Sequence, residues 1–87
     1  MGSMAQKSQR EVEQKSDILS RTLDIVNQQL GLRGGDEYTL LSTADEYDME
    51  EIQSELQIEF DIDISLANVN KCQSVGDLVK LVKEKTQ

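Results

Sequence analysis

The most regular amphipathic pattern in the chain lies near its middle, in residues 44–61, ADEYDMEEIQSELQIEFD. At a helical period of about 100° per residue, its apolar side chains fall in one narrow stripe: Met49, Ile52, Leu56 and Phe60. The neighbouring stripe is entirely acidic: Asp48, Glu51, Glu55 and Glu59. Asp45 stands where an N-cap belongs, and an acid three residues later suits the positive end of the helix dipole. The pattern predicts a helix with an apolar side towards the core and a carboxylate side towards the outside.

A long first helix is predicted from about residue 9 to residue 30. Its apolar positions keep helical spacing, with Ile18 and Thr22 at the edge of the stripe: Val12, Leu19, Leu23, Val26 and Leu30. Gly31 follows at the position where glycine commonly ends a helix, because it adopts the left-handed conformation at little cost.

The segments between the helices carry their own apolar residues. Residues 32–43, LRGGDEYTLLST, are predicted to form a loop that folds back onto the helices through three anchors: Tyr38, Leu40 and Leu41. Residues 62–65, IDIS, alternate like a short strand, but no second strand candidate exists to pair with them. They are therefore predicted to be an extended link that buries Ile62 or Ile64.

Two capped helices are predicted after this link. Ser65 is placed to cap a short helix in residues 66–70, and Ser74 opens a last helix with Asp77 in a capping-box-like position. The apolar stripe of the last helix is Val75, Leu78, Val79 and Val82. The predicted fold class is all-α, a four-helix bundle of three longer helices and one short one.

The composition indicates one small domain with an acidic middle. Of 87 residues, 37% are hydrophobic and the net charge is −8. Residues 1–8 have the form of an expression-tag remnant and a flexible N-terminus, which leaves residues 9–87 as a single domain. Between Arg33 and Lys71 there are many acids and no Lys or Arg. This bias argues against nucleic acid and membrane surfaces, and it indicates a basic partner.

Several kinds of chemistry are excluded by residue type. There is no His and Cys72 is the single cysteine, so a Ser-His-Asp triad, a Cys-His pair and a structural zinc site are all ruled out. Asp61 and Asp63 resemble half of a calcium loop, but its central glycine and final glutamate are absent. We expect no metal and no enzymatic activity. With no apolar segment typical of secretion or membrane insertion, the expected location is cytoplasmic.

Residues 44–82, ADEYDMEEIQSELQIEFDIDISLANVNKCQSVGDLVKLV, resemble the acyl carrier protein family. The family pattern is roughly A-D-S-L-D…L…E-F-D-x-x-I…K-x-x-x-V, and IVNQQLG in residues 25–31 also fits its first helix. The resemblance implies the four-helix carrier fold. It also implies a serine, in the Asp-Ser-Leu motif, that carries a 4′-phosphopantetheine arm.

The chain departs from the family at the attachment residue. The corresponding triplet is Asp45-Glu46-Tyr47, so Glu46 stands where the serine belongs. A carboxylate does not replace the hydroxyl nucleophile that this transfer needs. Other hydroxyls nearby do not match the motif: Ser42, Thr43 and Ser54. Positions that in the family face the acyl-chain cavity are also polar here, namely Glu50, Gln53 and Ser54, which disfavours burial of a hydrocarbon chain.

The leading hypothesis is a degenerate carrier-like protein of fatty acid or polyketide-type acyl metabolism, monomeric and without a cofactor. It would dock a basic (Arg/Lys-rich) surface of an enzyme or regulatory protein through seven residues: Asp45, Glu46, Tyr47, Asp48, Glu51, Glu55 and Glu59. One alternative is a working acyl or peptidyl carrier, either modified at another hydroxyl or with its native serine replaced by Glu46; phosphopantetheine would be its cofactor. A third reading is a structural helical subunit of a larger assembly.

Overall fold

The computed structural model of this chain describes residues 18–86, which fold as four helices. These are α1 (residues 18–30), α2 (Glu46–Phe60), α3 (Leu66–Asn70) and α4 (Val75–Thr86). Within this part of the chain no β-strand forms, and one isolated antiparallel bridge pairs Leu40 with Ser74. The predicted all-α four-helix bundle is confirmed for these residues. The predictions for residues 1–8 and for the beginning of the first helix, including Val12, lie outside the described residues.

Helix α2 begins at the predicted cap. The Asp48 N–H donates to Asp45 Oδ1 at 2.8 Å, and the Asp45 N–H donates to Asp48 Oδ2 at 3.1 Å. This reciprocal pair is a capping box, which satisfies two backbone donors that the helix itself leaves unpaired. At the other end, Asp61 adopts a left-handed conformation with φ 52°, and its N–H bonds to the Gln57 carbonyl.

The core lies where the stripes of α2 and α4 meet. All three apolar residues at the centre of the α2 stripe are buried, and Phe60 at its end is half-buried. The predicted α4 stripe is buried along its whole length: Val75, Leu78, Val79 and Val82. Ile52, Leu56 and Leu78 have no exposed surface. Burying a side chain of this size stabilises the fold by about 1.5–3 kcal/mol.

The core-facing side of α1 is rotated from the predicted one. Thr22, which was predicted at the edge, is fully buried, and Ile25 beside it is 9% exposed. Val26 is buried as predicted, whereas the remaining described members of the stripe are only half-buried: Leu19, Leu23 and Leu30. All three pack against the edge of the core, and Leu23 also lies close to Gly35 of the loop.

Two of the three predicted loop anchors are wrong. Leu41 is buried at 5% exposure, but Tyr38 and Leu40 are 77% and 61% exposed. The loop is held instead by backbone hydrogen bonds to the beginning of α4. The Leu41 N–H donates to the Gln73 carbonyl at 2.9 Å, and the Val75 and Gly76 N–H groups donate to the Thr39 and Glu37 carbonyls. A Cβ at residue 76 would lie 2.9 Å from the Glu37 oxygen, so this close approach requires glycine.

The link between α2 and α3 is extended, as predicted, and it buries Ile64. Two glutamines of α2 hold its backbone: Gln53 Nε2 donates to the Ile64 carbonyl at 2.8 Å, and Gln57 Oε1 accepts from the Ile64 N–H at 3.0 Å. Ser65 caps α3 by accepting from the Asn68 N–H, which confirms the prediction for that residue.

We predict that Thr22→Val stabilises the fold. The Thr22 Oγ1 is buried and has no hydrogen-bond partner among residues 18–86, and an unpaired buried hydroxyl carries a desolvation cost of about 1–3 kcal/mol. Valine keeps the shape and removes that cost, so the free energy of unfolding in urea should rise by about 1 kcal/mol. Thr43→Val, at an exposed loop position, is the matched control and should change it by less than about 0.5 kcal/mol. A loss of stability in Thr22→Val would contradict the assignment.

Candidate docking surface

The N-terminal end of the acidic stripe is held against α1. Gln29 Nε2 of α1 donates to Asp48 Oδ1 at 3.0 Å, while the other Asp48 oxygen belongs to the capping box. The Gln29 amide, followed by the Asp45 backbone N–H, holds the pKa of the Asp48 carboxyl below its usual value. Both donors stabilise the charged carboxylate. Asp48 is half-buried and its oxygens already have partners within the chain, so it is not a free docking group.

The C-terminal end of the stripe is held by an arginine of α1. Arg21 Nε donates to Glu59 Oε2 at 2.6 Å, and Arg21 Nη2 donates to the Glu59 carbonyl at 2.8 Å. The same guanidinium lies over the Phe60 ring, 4.5 Å from its centroid, in a cation–π arrangement. Glu59 therefore joins α2 to α1, although its side chain remains 43% exposed. The predicted outward orientation of the acidic stripe is corrected at both of its ends.

The middle of the acidic side is open. Glu55 is exposed and Glu51 is half-buried, and Glu50 beside them is exposed. No Lys or Arg of residues 18–86 forms an ion pair with these three carboxylates. Glu55 also lines a groove of about 380 Å³ between α1 and α2, together with Asp24 and Ile25. Glu51 and Glu55 are thus the members of the predicted acidic stripe that remain available to a cationic partner, and Glu50, which was not among the predicted docking residues, lies beside them.

The first turn of α2 projects into solvent. Asp45 and Glu46 are exposed, and Tyr47 is 63% exposed. Glu46 and Asp45 also line a pocket of about 390 Å³, whose other walls include Ser42, Met49 and Cys72. Of the seven predicted docking residues, the structure therefore leaves five without a side-chain ion pair or inter-helix bond in the described part of the chain: Asp45, Glu46, Tyr47, Glu51 and Glu55.

Cys72 is a half-buried thiol packed against the core. Its Sγ lies 3.5 Å from the Asn68 carbonyl, to which it donates. Burial, and then the Asp77 carboxylate, raises the pKa of the Cys72 thiol to about 11. The group is protonated at neutral pH and is a poor nucleophile, since the thiolate is the reactive form. Cys72 therefore serves as a small packing group at the edge of the core.

The hydroxyls near Glu46 and most of the polar positions of α2 face solvent. Ser42, Thr43 and Ser54 are all exposed. Glu50 and Ser54, two of the positions that face an acyl chain in the resembled family, point to solvent, and Gln53 is occupied with the Ile64 backbone.

Ile58 is an exposed apolar residue of α2 that lies outside the predicted docking set. It is 76% exposed, the largest exposed fraction among the large aliphatic side chains of residues 18–86. The signal was present in the pattern, because residue 58 is out of phase with the stripe formed by Met49, Ile52 and Leu56. An apolar residue out of phase with the core side of a helix is directed away from the core.

Other kinds of site find no support in the described residues. Residues 18–86 contain no group of three or more His, Cys, Asp or Glu side chains arranged to hold a metal ion. None of the helices in that part of the chain is long and apolar enough to cross a membrane.

Comparison with known proteins does not place the chain in a family. No protein-family model matches the sequence, and no curated protein matches it.

We predict that Gln29→Met raises the pKa of Asp48 towards the ordinary aspartate value, because the variant loses the principal hydrogen bond to the carboxylate. A carboxyl whose pKa is lowered by folding contributes stability above its unfolded pKa and loses it as the pH falls through the folded pKa. The variant should therefore lose less stability on acidification than the parent. Carbon-detected NMR titration of the Asp48 carboxyl measures the first effect, and urea unfolding across acidic pH measures the second.

Gln28→Met is the control for this prediction, because Gln28 is exposed and makes no bond to Asp48. An unchanged Asp48 pKa in Gln29→Met, or an equal rise in Gln28→Met, would contradict the assigned role of Gln29.

Proposed function

We propose that this chain is an acyl-carrier-like protein that lacks the phosphopantetheine attachment residue and acts as an acidic docking module. Its partners in this proposal are enzymes or regulatory proteins of acyl metabolism that present an Arg/Lys-rich surface. The chain has no catalytic role of its own and no cofactor. The observation that carries the proposal is the set of carboxylates on α2 that have no cation partner within residues 18–86: Glu50, Glu51 and Glu55.

The attachment position supports the loss of the carrier function. Glu46 is exposed at the first position of α2, directly after the capping residue Asp45. Exposure there suits a group that meets another protein. The chemistry, however, is that of a carboxylate, which accepts hydrogen bonds and does not provide the hydroxyl nucleophile for phosphopantetheine transfer.

The working-carrier alternative places the arm on a hydroxyl other than the motif serine, or on a native serine that Glu46 has replaced. Ser42 favours it most, since this residue is exposed and lines the same pocket as Glu46. It lies before α2, outside the position of the family motif.

We predict that Glu51→Lys/Glu55→Lys weakens docking by at least about tenfold, a loss of about 1.4 kcal/mol in binding free energy. The partners to test are a purified carrier-dependent synthase and a purified acyltransferase, with affinity measured by calorimetry over a series of salt concentrations. The variant should also show a shallower salt dependence, since fewer opposite charges meet across the interface.

Asp63→Lys/Glu84→Lys is the matched control. It makes the same change in net charge at two exposed positions that lie outside α2, and it should leave the affinity within about twofold, since rim charges far from an interface contribute little. Equal losses in both variants would mean that net charge alone is being measured, and would contradict a docking surface on α2.

A further inference from the structure

The exposed side of α2 is not uniformly acidic. The buried side is defined by Met49, Ile52 and Leu56. At about 100° per residue, the side directly opposite them carries Tyr47, Glu51, Ser54 and Ile58, with Glu50 and Glu55 at its two margins. We call these six residues the outer face of α2. This face shares Glu51 and Glu55 with the acidic stripe but does not include Asp48 and Glu59, the two ends of the stripe that are bound to α1 through Gln29 and Arg21.

Two large apolar side chains lie at the ends of the outer face. Tyr47 is 63% exposed and Ile58 is 76% exposed. They are separated by about three helical turns, or roughly 16 Å along the axis. Carboxylates occupy the interval between them and no basic residue occurs in α2. Isolated exposed apolar residues are common, but here two share one face with a set of unpaired carboxylates.

The carboxylates and the two apolar residues determine which kind of partner can bind the outer face. An anionic membrane or nucleic acid would be repelled by Glu50, Glu51 and Glu55. A second copy of the chain would bring the same carboxylates against each other, at a net charge of −8 on each molecule. A helix of a partner protein is complementary if it has apolar side chains about three turns apart and Lys or Arg between them, because ridges of side chains pack along a facing helix.

We propose that the outer face of α2 binds a basic amphipathic helix of a partner protein, with Tyr47 and Ile58 as apolar anchors and the carboxylates between them pairing with its Lys and Arg side chains. This deepens the proposed docking function and depends on it. The carboxylates steer the encounter and set its salt dependence, while burial of the two anchors fixes the position of the helix along α2.

The test uses a synthetic peptide of about 18 residues, long enough to form a helix on binding. It carries two leucines about three turns apart on one face and lysines and arginines between them. A second peptide of identical composition places the leucines on opposite faces. Binding to the full chain is measured by calorimetry, and the contact surface is mapped by NMR chemical-shift changes. We expect changes concentrated in residues 47–58 and at least about tenfold tighter binding of the first peptide.

The variants are Tyr47→Ser/Ile58→Ser and, as the matched control, Leu40→Ser. All three side chains are well exposed, so the substitutions remove surface apolar groups without opening the core, and circular dichroism verifies the helix content. The double variant should lose at least about tenfold in affinity for the first peptide. Leu40→Ser, whose side chain is in the loop, should stay within about twofold of the parent.

The possible outcomes separate this inference from the proposed function. Equal binding of the two peptides, unchanged affinity in Tyr47→Ser/Ile58→Ser, or shift changes outside α2 would overturn the anchored helix. If Glu51→Lys/Glu55→Lys nevertheless loses affinity for the peptides, the acidic docking function is supported and only the anchored helix is rejected. Failure of both basic peptides to bind would count against both proposals.

Discussion

The burial of one side of α2 determines which of its residues face solvent. Ile52 and Leu56 have no exposed surface and Met49 is 7% exposed. Removing any one of them from the core would cost about 2–5 kcal/mol, which is a large share of the stability of a domain this small. The helix therefore cannot turn about its axis to expose a different side. Its opposite side, from Tyr47 to Ile58, is consequently fixed towards solvent.

Helix α1 refines this orientation through polar contacts near both ends of α2. Gln29 binds Asp48 near the beginning of α2, and Arg21 binds Glu59 and covers Phe60 near its end. Each contact uses an acidic group that would otherwise add to the negative surface. The surface left for a partner is thus smaller than the acidic composition indicates. This surface lies on the side of α2 that carries the exposed residues Tyr47 and Ile58.

Much of the fold follows from local patterns in the sequence, because helix periodicity and capping depend on residues close in the chain. The cap at Asp45 and the cap at Ser65 were predictable in this way, as was an isoleucine buried by the link after α2, although the pattern did not decide between Ile62 and Ile64. The exposure of Tyr38 and Leu40 was not, since the loop is fixed by backbone bonds to residues 73–76, and these bonds do not depend on the side chains of residues 38 and 40. Likewise, the sequence predicts which acids line one side of α2. It does not predict their partners Gln29 and Arg21, which come close to these acids only after folding.

Glu46 stands where the resembled family carries its attachment serine, and it is exposed at the first position of α2. The proposed loss of the carrier function depends on this residue. The most direct test is the intact mass of the parent and of Glu46→Ser after incubation with coenzyme A and a broad-specificity phosphopantetheinyl transferase, with a known carrier domain modified in parallel. We expect Glu46→Ser to gain one phosphopantetheine and the parent to gain none. A gain by the parent would show a working carrier, and no gain by either would contradict the carrier resemblance itself.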